Sequence, residues 1–191
     1  MRPTRSILLA TLLTALLLPG PAQARKALIG KSKVTFVAMG SPGALSFEGR
    51  TAEIRLEDQG EQLVFTVPME TVDTGIDVRD HHMRETYIQT ASFPDAILTV
   101  PAAELTLPGP DDKPTEGTVQ GQFTVHGVTQ PVQIEWSAKT DKLGWKLQAS
   151  FPFDVAQHGV AIPSYMGVTV DAAMRAEASL RLVEATNEAS P

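Results

Sequence analysis

The chain carries four histidines, His81, His82, His126 and His158, and no cysteine. Histidine is the side chain best placed for proton transfer near neutral pH and is a frequent metal ligand, so chemistry would start at these positions. A zinc site needs three or four ligands converging on one point. His81 and His82 are adjacent, and neighbours on a helix point about 100° apart, so the pair is poorly set to share an ion. No H-E-x-x-H pattern is present. The absence of cysteine removes disulfides, thiolate metal sites and thiol catalysis together. A serine nucleophile normally sits on a G-x-S-x-G elbow, and the chain has none. Asp73, Asp77 and Asp80 lie close in sequence, but turn formation and helix capping account for such a cluster. No glycine-rich phosphate loop occurs. These residues specify no catalytic set, no metal and no cofactor, and the chain reads as a protein that is not an enzyme.

Charge narrows the partners. The 191 residues carry a formal charge of −6. The N-terminus opens with Arg2 and Arg5, continues with an apolar run of about 12 residues over 7–18, and then reads Pro19-Gly20-Pro21-Ala22-Gln23-Ala24. A basic start, a short apolar stretch and a small-x-small site are the parts of a secretory signal. The run is shorter than the about 20 residues of a spanning helix, so the segment 1–24 reads as a signal peptide cleaved after Ala24. No cysteine follows that site to accept a lipid, and no later segment is apolar enough to span. Removing 24 of 191 residues leaves 167, with 14 basic against 22 acidic side chains, a charge of −8. A net acidic chain without a basic run argues against nucleic acid, where phosphate neutralisation supplies most of the affinity. The expectation is one exported domain over 25–185, with a disordered tail at 186–191.

The elements that would position side chains are strands. From Val168 to Leu182 apolar residues fall on every even position, with Thr169, Asp171, Arg175, Glu177 and Arg181 between them. Period-two alternation marks a strand with one wet face. The same pattern recurs at Val34-Phe36-Ala38, Leu63-Phe65-Val67-Met69, Val119-Gly121-Phe123-Val125, Val132-Ile134-Trp136-Ala138 and Trp145-Leu147-Ala149-Phe151. Between 46 and 58 the apolar phase slips, which predicts a bulge or bend near Gly49. The stretches 96–100 and 102–107 read as two strands broken at Pro101. About eight strands with short turns predict an all-β antiparallel barrel. One segment departs from this pattern. Residues 78–88 read as a short helix capped by Asp77, with Asp80 and Arg84 spaced to pair.

Alanine and glycine dominate the inward phase: Ala172, Ala176 and Ala178, with Ala38, Ala138, Ala149, Gly49 and Gly121. Small barrels either fill with side chains or hold one small ligand. Two interiors therefore stand on the residues alone. In one, Trp136, Trp145, Phe36, Phe65 and Phe123 fill the space that alanine leaves. In the other, an apolar tunnel remains, with flexible methionines Met69, Met83, Met166 and Met174 in its wall.

Three stretches together resemble the YceI family of exported bacterial proteins. They are Val72-Asp73-Thr74-Gly75-Ile76-Asp77-Val78-Arg79-Asp80-His81-His82-Met83 with Ala91-Ser92-Phe93-Pro94, Gly121-Gln122-Phe123-Thr124-Val125-His126-Gly127-Val128-Thr129-Gln130-Pro131-Val132, and Phe153 through His158-Gly159 to Ile162-Pro163-Ser164-Tyr165-Met166-Gly167. Two positions depart from the family pattern: the glycine follows Phe47 rather than preceding it, and Gln130 stands where lysine is common. The resemblance implies an eight-stranded lipocalin-like barrel with a helix over one side and a tunnel that takes a polyisoprenoid, quinone or fatty chain. The side chains expected along that tunnel are Phe36, Phe47, Phe65, Phe93, Phe123, Trp136 and Phe153, with Tyr87 and the methionines Met69, Met83, Met166 and Met174. At the mouth, Arg79, His81, His82 and Tyr165 would orient a polar head group, although Arg79 and Asp80 would serve equally to pin the helix to the barrel. The expected function is non-catalytic carriage of a lipid or isoprenoid. A stress-related barrel with a filled core, or a small histidine-dependent enzyme, are the alternatives. Exposed barrel edges leave room for a homodimer.

Overall fold

The computed structural model describes residues 28–43, 45–165 and 167–183. The expected signal segment 1–24, the tail 186–191, Met166 and the side chain of Tyr165 lie outside the described residues.

The chain order is β1 (Leu28–Ile29), β2 (Lys33–Ser41), β3 (Leu45–Thr51), β4 (Arg55–Asp58), β5 (Gln62–Pro68), α1 (Asp77–His82), β6 (Asp95–Pro101), β7 (Thr115–Val125), β8 (Val128–Asp141), β9 (Gly144–Asp154), β10 (Ser164–Tyr165) and β11 (Val168–Val183). All pairings are antiparallel, in the order β3-β2-β11-β9-β8-β7-β6-β5-β4, with β1 and β10 attached to β11. The sheet curls into a half-barrel with its hydrophobic core on the concave face. Nine strands lie along this path where about eight were expected.

The extra strand comes from residues 45–58. The break lies between Thr51 and Arg55, not near Gly49, which pairs in register with Phe36. Gly49 is glycine for another reason: a Cβ there would stand 2.7 Å from Val72 Cγ1. The second strand expected at 102–107 does not form either. Ala102–Glu104 is a 3-10 turn, and the chain runs irregularly to Thr115. Pro101 ends β6, and Pro108, Pro110 and Pro114 lack the N–H groups a ladder needs.

Turn chemistry sets the long central hairpins. Val125 pairs with Val128 across a two-residue loop whose residues, His126 and Gly127, both have positive φ, 52° and 72°. That is the type I′ geometry whose twist matches paired strands. At the next hairpin, Gly144 has φ 112°, and a Cβ there would stand 2.3 Å from Leu182 O. Asp141 Oδ1 accepts from Leu143 N at 2.8 Å, and the Asp141 carboxylate also pairs with Arg181 of β11 at 2.6 Å. This tie holds the hairpin tip against the last strand.

Alternation predicts the inward faces well. Val119, Gly121, Phe123 and Val125 of β7 are buried, as are Val132, Ile134, Trp136 and Ala138 of β8. In β11, periodicity overrides the helix preference of its alanines and arginines, because ten cross-strand pairs with β9 bury the apolar phase. A register shift between Val170 and Met174 bends this strand.

Candidate ligand-binding site

The concave face does not fill completely. Seven strands line a cavity: Val34 and Phe36 of β2, Phe65 and Val67 of β5, Ala96, Leu98 and Val100 of β6, Val119 and Phe123 of β7, Ile134 and Trp136 of β8, Leu147, Ala149 and Phe151 of β9, and Ala176, Ala178 and Leu180 of β11. Ile54 and Leu105 complete the wall, and Glu177 borders it from the outward phase of β11. The atom-free space amounts to about 690 Å³ counted out to its opening. The bore is narrow, since the centre of a water-sized sphere finds room in about 70 Å³. One water needs roughly 10–15 Å³ on that measure, so the space exceeds a packing defect. Walls of hydrocarbon give water no partner, and such cavities stay dry and take apolar guests.

Small residues make the space. Ala178 faces Ala149 across the β11–β9 pair, and Ala176 faces Phe151. Replacing any of these alanines by a larger aliphatic residue would narrow the bore.

The two ends are built differently. At one, Phe123 stacks edge-on with Phe151 and Phe153, each at 5.0 Å between ring centroids, and His158 packs 5.5 Å from Phe123. His158 is 1% exposed, and its Nδ1 meets Val128 O at 2.8 Å. It is a core histidine that ties the turn at Val155–His158 to β8. The three-residue β6–β7 ladder, Ile97 to Thr99, lies beside this cluster, with Leu98 opposite Phe123. At the other end, Leu105 comes from the irregular segment that follows β6. That segment is held by Trp145 Nε1 donating to Pro108 O at 2.7 Å and by Thr140 Oγ1 donating to the carbonyls of Pro108 and Gly109.

Of the side chains expected along the tunnel, Phe36, Phe65, Phe123 and Trp136 lie in this wall. Phe153, Met69, Met83, Tyr87 and Met174 belong to the surrounding core instead. The Phe93 ring packs tilted against that of His126, with centroids 4.4 Å apart, outside the wall. Phe47 lies against Gly40 at the β2–β3 turn, with the Arg79 guanidinium 5.7 Å above its ring. Sequence reasoning missed the aliphatic majority of the wall, Ile54, Leu98 and Leu105 among them, because alternation marks inward residues but not which of them border unfilled space.

The segment expected at the mouth works as a fastening. Asp80 is 5% exposed, and its carboxylate accepts from the amide of Thr74 at 2.9 Å and from the Thr74 hydroxyl. Burial alone would raise its pKa, but the Thr74 hydroxyl and amide, Asp73 and the Arg84 charge outweigh it and hold the carboxyl below its ordinary value. Arg79 donates to Thr74 O, and Arg84 donates to Val72 O at 2.9 Å. Asp73 and Arg50 exchange backbone hydrogen bonds at 2.9 and 2.8 Å, which joins this segment to β3. Asp80 and Arg84 therefore do not pair directly as their spacing suggested; each binds the 72–74 segment, and the helix is held by both. Asp77 does not cap α1 either: the cap position is Ile76, with no side-chain bond. After His82 the helix widens into a π turn, Met83–Tyr87. His81 and His82 are exposed, with ring centroids 6.2 Å apart. Among the described residues, no helix is long and apolar enough to cross a membrane.

A curled antiparallel sheet around an apolar cavity defines the class of protein. The family follows from the chain itself: residues 29–182 match the YceI-like domain, and the protein belongs to that family. Its fold is similar to that of a polyisoprenoid binding domain from Saccharophagus degradans implicated in plant cell wall breakdown, with a TM-score of 0.67 and 15% identity over 84% of this chain and 99% of that one. It is also similar to BcnA of Burkholderia cenocepacia, with a TM-score of 0.60 and 13% identity over 78% of this chain and 94% of that one. None of the curated proteins matches the chain.

Proposed function

We propose that this protein is an exported, non-catalytic carrier that shields one apolar chain, of polyisoprenoid, quinone-tail or fatty type, in the cavity of its half-barrel. The observation that carries the reading is the cavity wall: seven strands contribute to it, and its inward side chains are aliphatic or aromatic throughout. Each methylene moved from water into such a space stabilises the complex by about 0.8 kcal/mol. Affinity can therefore be high without a catalytic residue or an ion. The narrow bore favours one chain over a two-tailed lipid. The polyisoprenoid binding described for the Saccharophagus domain supports the same ligand class. The leader at 1–24 supports delivery to the periplasm, where an apolar molecule leaving either bilayer needs cover from water.

The test is a thermal melt of the mature protein with geranylgeraniol at increasing concentration. Saturable stabilisation is expected, following the logarithm of free ligand above its Kd. A melting temperature unmoved by isoprenoid alcohols and long-chain fatty acids alike would remove the proposal.

A further inference from the structure

The sequence has no basic run, but the register of the sheet builds one. Lys139 of β8 stands opposite Lys146 of β9, and Lys146 stands opposite Arg181 of β11. Their chain neighbours Ala138, Leu147 and Leu182 are buried, so alternation turns all three cations to the outer face of the sheet. Cross-strand neighbours lie about 5 Å apart, and like charges placed so are destabilising. Asp141 relieves one of them, since its carboxylate pairs with Arg181 at 2.6 Å. Among the described residues, Lys139 and Lys146 have no carboxylate at ion-pair distance.

More cations flank the row. Lys142 and Leu143 form the tip of the β8–β9 hairpin, and Leu143 is 67% exposed. The tip is fixed, because Leu143 N donates to Asp141 Oδ1 at 2.8 Å. Lys31 follows Gly30, whose amide donates to Arg181 O at 2.7 Å. On the other flank, Thr140 Oγ1 donates to Gly109 O, which brings the segment with Asp111, Asp112 and Lys113 beside β8. Six cations (Lys31, Lys113, Lys139, Lys142, Lys146 and Arg181) thus meet three carboxylates, Asp111, Asp112 and Asp141. The local excess is positive in a chain that is acidic as a whole. In the next register row, Lys33 and Glu116 offset each other. The remaining acids at this end, among them Asp58, Glu61 and Glu104, sit on or beside β4, β5 and β6, at least two strands beyond β8 in the sheet order.

We infer that this end of the half-barrel docks on an anionic phospholipid bilayer, with Leu143 in the headgroup layer and the Lys139–Lys146–Arg181 row against lipid phosphates. An exposed apolar side chain among cations is the combination that holds peripheral segments at such a surface. The phosphates supply the counter-charge that Lys139 and Lys146 lack within the fold. Screening over about 8 Å at physiological salt limits the opposition of the acidic remainder of the chain. Docking of this kind does not depend on what the cavity holds.

The test is sedimentation of the mature protein with phosphatidylcholine vesicles, made with and without phosphatidylglycerol. Binding is expected to the anionic vesicles alone and should fade as salt rises. This comparison uses native protein and does not rely on a variant folding. Lys139→Gln combined with Lys146→Gln should weaken the binding about 30-fold, the worth of two basic side chains at an anionic surface. Arg55→Gln combined with Arg175→Gln removes the same charge elsewhere on the surface and should leave binding unchanged. Leu143→Ser should weaken it as well. Absence of binding to the anionic vesicles, equal binding to both vesicle types, or equal loss in the two doubly substituted proteins overturns the inference. Native affinity in Leu143→Ser does so too. Binding to soluble dextran sulfate without binding to anionic vesicles would make the patch a polyanion site and overturn the bilayer docking.

Discussion

Ala178→Leu puts a side chain where the proposed guest would lie. Ala178 lies on the inward phase of β11, faces Ala149 on one side and Val34 on the other, and lines the cavity. Leucine there adds bulk equivalent to about three methylenes, and each methylene of guest that it displaces forfeits about 0.8 kcal/mol. The loss is about 2.4 kcal/mol, or roughly 50-fold in Kd. Overpacking a filled core costs about 1–3 kcal/mol, but this side chain enters open space, so the melting temperature of the unliganded protein should change little. The outward neighbour supplies the control. Ser179 pairs with Lys33 and Gln148 on the opposite face of the sheet, and Ser179→Leu should leave affinity unchanged. The assay is dye displacement by geranylgeraniol, with a thermal melt of each variant. If Ala178→Leu melts like native protein and binds with native affinity, the chain does not occupy this cavity. If Ser179→Leu weakens binding as much as Ala178→Leu, the alternation argument for the wall is wrong.

Four further outcomes follow from the fastening and the hairpins. Asp80→Ala should lower stability by about 3 kcal/mol in denaturant unfolding, since two hydrogen bonds to a buried carboxylate are lost. Because the folded pKa of Asp80 lies below its ordinary value, its contribution is complete above about pH 4 and is lost as pH falls through the folded value; Asp80→Asn should flatten that acid limb. The hydrogen bonds of Arg181 to Asp141, together with the Leu143 amide, lower the Asp141 pKa to about 2. The Asp141 contribution therefore also fades as pH falls from about 4 towards 2, and the melting temperature of Asp141→Asn should drop less than that of native protein over this range. Gly144→Ala should destabilise by about 2 kcal/mol or more, because φ is 112° and the new Cβ would meet Leu182 O; an unchanged denaturation midpoint would contradict that geometry.

Much of the fold was legible because one face of nearly every strand is buried, which forces period two onto the sequence. β7 and β8 could be placed residue by residue from Val119 to Ala138 for this reason. The errors fell where local signals compete. Residues 102–107 alternate like a strand, yet the prolines that follow deny them a ladder, and Leu105 instead reaches the cavity. Gly49 looked like a bulge because glycine is the usual mark of one, but here it makes room for Val72. The aspartates at 77 and 80 look alike as caps; only the fold of residues 72–80 shows that Asp80 grips Thr74 while Asp77 stays exposed. The alanines of β9 and β11 left a filled core and an apolar tunnel equally open, and alternation did not give the membership of the wall. A sequence orders side chains along strands, and it does not say which inward side chains meet across the half-barrel and which leave a gap.

Occupancy of the cavity by one apolar chain is open to direct measurement. Native mass spectrometry of protein taken from the bacterial periplasm, followed by lipid extraction of the same sample, tests it most directly. The expected result is a bound species with the added mass of a single apolar molecule, recovered by extraction and lost from Ala178→Leu protein prepared in parallel. A native spectrum showing only the unliganded mass, with no added mass after incubation with isoprenoids, would contradict it.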